Sequence, residues 1–283
     1  MINSYAILVN TCDKFEDCWY PFFKLFSVFW PDYKGKIYLN TEYKSFEFPG
    51  LNIECTKVCE VNKISKNKII TWSQCLKWAL EIIDSDIILY LQDDYFLAEK
   101  VQTYWIHYFT DIMTKSPEIP CIQLTQSGIP AIKKTKFEML YKSDHNYFSF
   151  VSCQAALWQK NILLSLIRVH ETAWNFEWWG SKRAKYMHYE FLVISPESFN
   201  ANKNYILSYI LTGVVAGKWY YPVVELFDKH GIEISYNKRG FYRENTTHTL
   251  KERIKTKVSI WKIRSIIEIV IMKILFFTNK LVS

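Results

Sequence analysis

A chain of 283 residues with 49% hydrophobic and 17% aromatic content can bury a substantial core, which excludes an intrinsically disordered protein. Only 8 Gly and 8 Pro, no Gly/Ser-rich linker and no repeat at solenoid periods exclude a tethered or repetitive array. The net charge of +7 belongs to the tail: eight basic and two acidic residues between Lys251 and Ser283 give it +6 and leave +1 for residues 1–250, so a nucleic-acid groove on the body is excluded too.

Tyr5 to Asn10 reads as a buried strand, and Thr11-Cys12-Asp13 supplies a turn and a cap for a helix over 14–29 that Trp30-Pro31-Asp32 stops. Lys36 to Asn40 is a second strand and Leu51 to Val58 a third. Thr71 to Ile83 is an amphipathic helix leading into the run Ile87-Ile88-Leu89-Tyr90-Leu91-Gln92-Asp93-Asp94-Tyr95-Phe96-Leu97. Ala98 to Lys115 follows as a helix and Cys121 to Thr125 as a strand. Residues 126–146, with Gly128, Pro130 and a lysine run, read as an irregular loop over a pocket. Phe148 to Trp158 alternates like a strand, Asn161 to Val169 and Thr172 to Arg183 read as helices, and Tyr186 to Ile194 and Tyr205 to Trp219 as strand-rich or mixed segments. Strands alternating with helices early and a mixed later part predict one α/β domain over 1–245, a nucleotide-binding half joined to an acceptor half.

The last segment, Leu250 to Phe277, reads as a helix within a basic, apolar tail over 246–283. Ile254, Val258 and Trp261 share one side of it, and Ile266 to Phe277 is apolar almost all round except Glu268 and Lys273. Twelve such residues cannot span a bilayer, which needs about 20. An interfacial helix on an anionic membrane surface is expected, with docking on the protein or in a homo-oligomer as the alternative. The seven cysteines are odd in number and lack the paired C-x-x-C spacing of a zinc site, so they read as free thiols of a reducing compartment. No basic segment precedes the short apolar run Tyr5 to Val9, so no secretory signal is expected. The address is cytoplasmic, peripheral on the inner face of the cell membrane.

The strand ending on Asp93 and Asp94 carries the functional signal. Adjacent carboxylates repel, and a fold tolerates them at a strand's carboxyl end most easily where a cation or ligand offsets their charge. In an α/β sheet, ligands bind at that end. A solvated turn is the competing reading.

Six blocks in order carry a resemblance: Ile7 to Asp13 with Trp72-Ser73, then Leu91 to Leu97, then Ser152-Cys153-Gln154-Ala155-Ala156-Leu157-Trp158. Glu171-x-x-Trp174-x-Phe176-Glu177-x-x-Gly180-Ser181, Gly213 to Trp219, and Gly231 to Ile234 with Lys238-Arg239-Gly240 complete the set. Together they resemble bacterial glycosyltransferases of the GT-A fold that build capsules and surface polysaccharides. The resemblance covers most of residues 5–243. It implies a GT-A-like fold, a Rossmann-like half with a mixed sheet joined to an acceptor half, plus the C-terminal helix. It also implies transfer of a sugar from a nucleotide-sugar donor to a hydroxyl of a glycan or lipid-linked acceptor.

The family's acid motif is D-x-D, and Gln92-Asp93-Asp94 departs from it. The resemblance then makes Asp94 the ligand of Mn²⁺ or Mg²⁺ and Asp93 a ribose or sugar contact. Lys218, Lys238, Arg239 and His230 are candidates for the diphosphate, His230 also for the metal, and Thr11 and Asp13 for base or ribose, unless Asp13 is only a helix cap. A UDP-sugar is the default donor. Removing the acceptor's proton calls for a carboxylate, Glu177 first and Glu171 second; the bulk of Trp174, Phe176, Trp178 and Trp179 would partly desolvate Glu177 and raise its pKa toward a base's range. Such a base implies inversion at the anomeric carbon. Gln154, Trp158 and Trp174 are candidates for sugar contact, the last two by stacking. The rivals are a nucleotidyltransferase, which would carry a Gly-rich basic loop after the first strand, and a non-catalytic glycan-binding scaffold.

Overall fold

The computed structural model describes residues 5–125, 129–195, 206–243 and 263–282. One nine-stranded sheet organises the chain. Its first part is parallel: β1 (Ala6–Asn10) lies between β2 (Lys36–Asn40) and β4 (Ile87–Gln92), with β3 (Asn52–Cys55) outside β2. Beyond β4 the sheet turns mixed, in the order β8 (Ala156–Gln159), β5 (Cys121–Gln123), β9 (Leu192–Ile194), β7 (Leu140–Ser143) and β6 (Ala131–Lys134), with β8 antiparallel to both neighbours. This is the mixed α/β architecture expected, a Rossmann-like half continued into a second half through one sheet.

Alternation along the central strands splits the core in two. Ile7, Val9, Leu89 and Leu91 point to the face covered by α1 (Glu16–Phe29) and α4 (Thr103–Lys115), where Phe22, Phe23, Phe26, Trp30 and Phe109 pack. Ala6, Leu8, Ile88 and Tyr90 point to the other face. There α3 (Trp72–Ile82), α5 (Lys160–Leu166) and α6 (Ala173–Ala184) contribute Leu76, Leu80, Leu163 and Phe176. Thr71 caps α3 by accepting the Gln74 N–H at 3.1 Å, and Thr172 with Asn175 forms a capping box on α6. The helix expected from 14 begins as a 3-10 turn, Asp13–Phe15, before α1, and a single turn, α2 (Val58–Val61), precedes α3.

Three expectations need correction. Within 126–146, β6 and β7 form a hairpin on the sheet edge; Lys133 and Lys134 there are exposed, and charges on an edge strand blunt its open hydrogen-bonding groups while hiding the strand from a hydrophobic pattern. Residues 148–155 are not strand, because α6 takes their backbone donors: Val151 N–H donates to Ser181 Oγ at 3.0 Å and Cys153 N–H to Glu177 Oε1 at 2.8 Å. The strand-rich reading of 205–219 reduces to a two-residue hairpin, β10 (Val214–Val215) with β11 (Lys218–Trp219), followed by α7 (Pro222–Lys229). The final helix, α8, runs Ile263–Val282; Ile254, Val258 and Trp261 lie outside the described residues. Among the described residues no helix is long and apolar enough to cross a membrane.

A buried polar cluster holds α8 to the body. Arg183 of α6 donates to both oxygens of Glu171 at 2.8 and 2.6 Å, and the two side chains are 1% and 0% exposed. Ser265 donates to Glu171 at 3.1 Å, and Glu268 accepts from Arg168 Nε at 2.7 Å and lies 3.5 Å from Arg183. Removing one member strands a buried charge, so Arg183→Ala should lower the unfolding free energy by roughly 3–5 kcal/mol in urea melts, and Arg183→Met with Glu171→Leu should recover most of that loss.

Candidate active site

The site sits where the sheet's connections part. From β1 the chain moves outward to β2 and β3, then returns to place β4 on the other side of β1. The carboxyl ends of β1 and β4 therefore border an open crevice. Asn10 pairs with Gln92 in the parallel register, so the next residues, Thr11 and Asp93, meet across the crevice. Thr11 Oγ1 donates to Asp93 Oδ2 at 2.5 Å and accepts from Trp19 Nε1 at 2.9 Å. Beneath them Asn10 donates to the Tyr90 hydroxyl at 3.1 Å and accepts from Asn40 at 2.7 Å, which satisfies these buried amides.

Asp94 is held from the opposite side. Thr212 Oγ1 donates to its Oδ2 at 2.7 Å, Val214 N–H to the same oxygen at 3.3 Å, and Gly213 N–H to its backbone carbonyl at 2.8 Å. That segment runs antiparallel along 96–102: Ile210 N–H donates to Phe96 O and Ala98 N–H to Ser208 O, both at 3.0 Å, and Gln102 N–H to Ile206 O at 2.9 Å. The approach needs glycine, since a Cβ on Gly213 would lie 2.1 Å from Phe96 Cε2.

Asp93 and Asp94 open on a pocket of about 510 Å³ whose lining includes Phe15, Ser152, Gln154, Trp174, Glu177 and Thr212. Glu177 accepts from Cys153 N–H at 2.8 Å and Ser152 Oγ at 3.3 Å. Gln154 accepts from Tyr209 at 2.9 Å, and the Tyr209 ring stacks on Tyr95, centroids 4.8 Å apart. Trp174, 76% exposed, stands at the rim. Gln92 Nε2 donates to the Tyr95 hydroxyl and to Cys153 O, both at 3.1 Å, tying β4 to the loop that carries Ser152 to Gln154.

Burial dominates the electrostatics. It pushes Asp93 well above the usual carboxylate range, with the neighbouring Asp94 charge adding to the shift. It also raises Asp94, against the bonds from Thr212 and Val214. Glu177 is raised by burial as well, partly offset by its two donors. Among the described residues neither aspartate pairs with a cation within 4 Å. Arg239 acts on both only at longer range. Two buried carboxylates without a partner, each with one oxygen hydrogen-bonded, suit a hard divalent cation with oxygen ligands.

The remaining candidates divide. Arg239 forks onto Asp17 at 2.7 and 2.5 Å with its guanidinium over the Phe15 ring, so it borders the pocket already paired. Lys238 is exposed, 4.0 Å from Glu16, and Lys218 is exposed on β11. None of these three lines the pocket, nor does Thr11 behind Asp93, and four further candidates sit away from it. Asp13 accepts the N–H groups of Glu42, Tyr43 and Lys44 at 2.9, 2.9 and 3.2 Å, which makes it a clamp between two loops; neither the 3-10 turn nor α1 has a side-chain cap. Glu171 is neutralised by Arg183 and sealed from solvent. Trp158, 1% exposed, is in the core on β8. His230 packs on Phe29 at 5.0 Å, at the far end of α1 and about 20 Å along that helix from Phe15. Thr212, Gly213, Ser152 and Tyr209 carry no role in the sequence reading, although Ser152 and Gly213 open two of the blocks that carry the resemblance.

A scan against protein-family models and a search of curated proteins find no match. Solved structures give partial superpositions. A TarS fragment from S. aureus superposes with TM-score 0.43 and 10% identity over 69% of this chain and 58% of its own. Glucosyl-3-phosphoglycerate synthase from Mycobacterium tuberculosis, in complex with Mn²⁺ and UDP-glucose, superposes with TM-score 0.37 and 5% identity over 64% of each chain. An active-site mutant of LgtC does so with TM-score 0.32 and 13% identity over 90% and 95%. The chain spans less than two thirds of the length of the TarS structures.

Gly213→Ala should displace Phe96 or the Thr212 to Val214 segment. The expected loss is about 1–3 kcal/mol by denaturant unfolding.

Proposed function

We propose that the protein is a GT-A-like glycosyltransferase that moves a sugar from a nucleotide-sugar donor, a UDP-sugar by default, to a hydroxyl of a glycan or lipid-linked acceptor of surface polysaccharide synthesis. The observation that carries this reading is the shared pocket. The paired acids at the sheet's switch point and the desolvated Glu177 face one cavity from opposite halves of the fold. In the reaction the acceptor oxygen bonds to the anomeric carbon as the bond from that carbon to the diphosphate breaks, and Glu177 takes the acceptor's proton. Attack opposite the leaving group inverts the centre. A Mn²⁺ or Mg²⁺ ion bound with the donor would offset the diphosphate charge, with Asp94 as its protein ligand and Asp93 beside it. Thr11 orients Asp93, Thr212 orients Asp94, and Arg239 adds positive potential at the Phe15 edge, with Lys238 and Lys218 as outer diphosphate contacts. Gln154 and Trp174 are the acceptor-side sugar contacts.

The departure from D-x-D has a local rationale that supports the reading. The residue at 92 donates to a backbone carbonyl, and a carboxylate there would face it with no proton to share.

Thermal-shift measurements with UDP, GDP, CMP and dTDP, each with Mn²⁺ or EDTA, test the donor reading. One nucleotide should raise the melting temperature only with metal, and Asp94→Asn should abolish that rise. No shift with any nucleotide would favour the glycan-binding scaffold, and a shift only in a parallel series with the matching triphosphates would favour the nucleotidyltransferase. Glu177→Gln should keep the nucleotide shift and lose roughly 10²- to 10⁴-fold in turnover. The wild-type rate should fall as pH drops through the raised Glu177 pKa, because the base must be ionised; a rate flat across the acid range would remove Glu177 from this role.

The tail is assigned to an anionic membrane surface on the cytoplasmic side. Ile267, Val270, Ile271 and Ile274 are 51–57% exposed and fall at i, i+3, i+4 and i+7, one stripe of α8, flanked by the exposed Arg264 and Lys273. Ile267→Glu with Ile271→Glu leaves Ser265 and Glu268 in place and should abolish co-sedimentation with vesicles containing anionic lipid. Unchanged sedimentation, or a dimer that the substitutions dissociate, would assign the stripe to a second copy instead.

A further inference from the structure

The fold gathers a second set of metal-ligating groups that the transfer reaction does not use. Cys59 lies on α2, Cys75 on α3, and Glu42 on the loop after β2. Their sulfur and carboxylate atoms all fall within 4.8 Å of one another. Spacings of 17 and 16 residues match no metal motif, but the tertiary fold closes them.

We propose that Cys59, Cys75 and Glu42 form a binding site for Zn²⁺. Two thiolates and a carboxylate are the ligand chemistry of this ion, and three protein ligands leave the fourth tetrahedral position to water. Each ligand is positioned by backbone rather than by a mobile side chain alone. The Glu42 carbonyl accepts the N–H groups of Cys59 and Glu60 at 3.0 and 3.2 Å, while its carboxylate accepts Asp13 N–H at 3.2 Å. Both cysteines are buried, and the thiols lie against each other. Burial raises both thiols above the free value, and the nearby acids add to the shift, Glu42 on both and Asp13 on Cys59. A divalent cation reverses that preference; binding releases the two thiol protons to solvent, and the ion's two positive charges offset two of the three ligand charges.

The site would brace a particular part of the molecule. Zn²⁺ would join α2 and α3 to the loop whose Glu42, Tyr43 and Lys44 amides hold Asp13, two residues from Thr11. Its role is structural support of the β1 end of the crevice, distinct from the hard-cation site at Asp94.

The test uses full-length protein kept reduced with a phosphine. One equivalent of Co²⁺ should give a thiolate-to-cobalt charge-transfer band that Zn²⁺ displaces and that raises the melting temperature as it forms. Cys75→Ser and Cys59→Ser should each lose the band, Glu42→Gln should weaken binding, and Asp94→Asn should keep both intact. X-ray absorption of the zinc-loaded wild type, which needs no variant to fold, should show two sulfur ligands at about 2.3 Å with the remainder nitrogen or oxygen at about 2.0 Å. A zinc shell without sulfur, a band retained in both cysteine variants, or no band at all would overturn the site.

Discussion

The burial of two adjacent aspartates at the end of β4 is the constraint around which the site is built. Asp93 and Asp94 are 5% and 7% exposed, and their charges oppose each other. Placing them there costs desolvation that ordinary turn residues would avoid. The fold offsets part of it locally and unequally: Thr11 across the β1 register serves Asp93, and Thr212 with the Val214 amide serves Asp94. Each supporting group comes from a different stretch of chain, so the acid pair is also where the first strand, the fourth strand and the late segment 206–214 are tied together. Burial raises both carboxyls above the usual carboxylate range, and the hydrogen bonds from Thr11, Thr212 and the Val214 amide offset only part of that cost.

α6 is the second organising element, because its two ends do different work. One turn aims Glu177 and Ser181 at the loop 151–153, taking backbone donors that would otherwise pair as strand. The same helix sends Arg183 into the cluster with Glu171 and Glu268, which receives α8. Glu177 and the anchor of α8 therefore share one helix, with Arg168 and Glu171 just before it completing the attachment.

Much of this was legible in the chain. The buried strands 6–10, 36–40 and 87–92 and helix α3 announce themselves through apolar runs, caps and stops, and the carboxyl-end location of Asp93 and Asp94 follows from the strand alone. The desolvation of Glu177 agrees with the four aromatics that flank it in sequence. What could not be read were long-range pairings. Glu171 and Glu177 look alike in a linear reading, and only the return of Arg183 to within 2.6 Å separates an enclosed ion-pair partner from a pocket carboxylate. Asp13 reads as a cap and acts as a clamp, since its three partners lie about 30 residues away. Local patterning reports periodicity and turn chemistry, whereas polar satisfaction is a tertiary property.

The Gln92 position joins these threads. In a strand otherwise wholly apolar from Ile87 to Leu91, its side chain emerges at the crevice, beside Asp93 and opposite the Cys153 carbonyl. A third carboxylate in this place would add charge to a pair already strained by desolvation and would lose the donor that links β4 to the Ser152 to Gln154 loop. The amide keeps the hydrogen bond and adds no charge. The residue that weakens the match to a D-x-D pattern is thus the one the surrounding geometry favours.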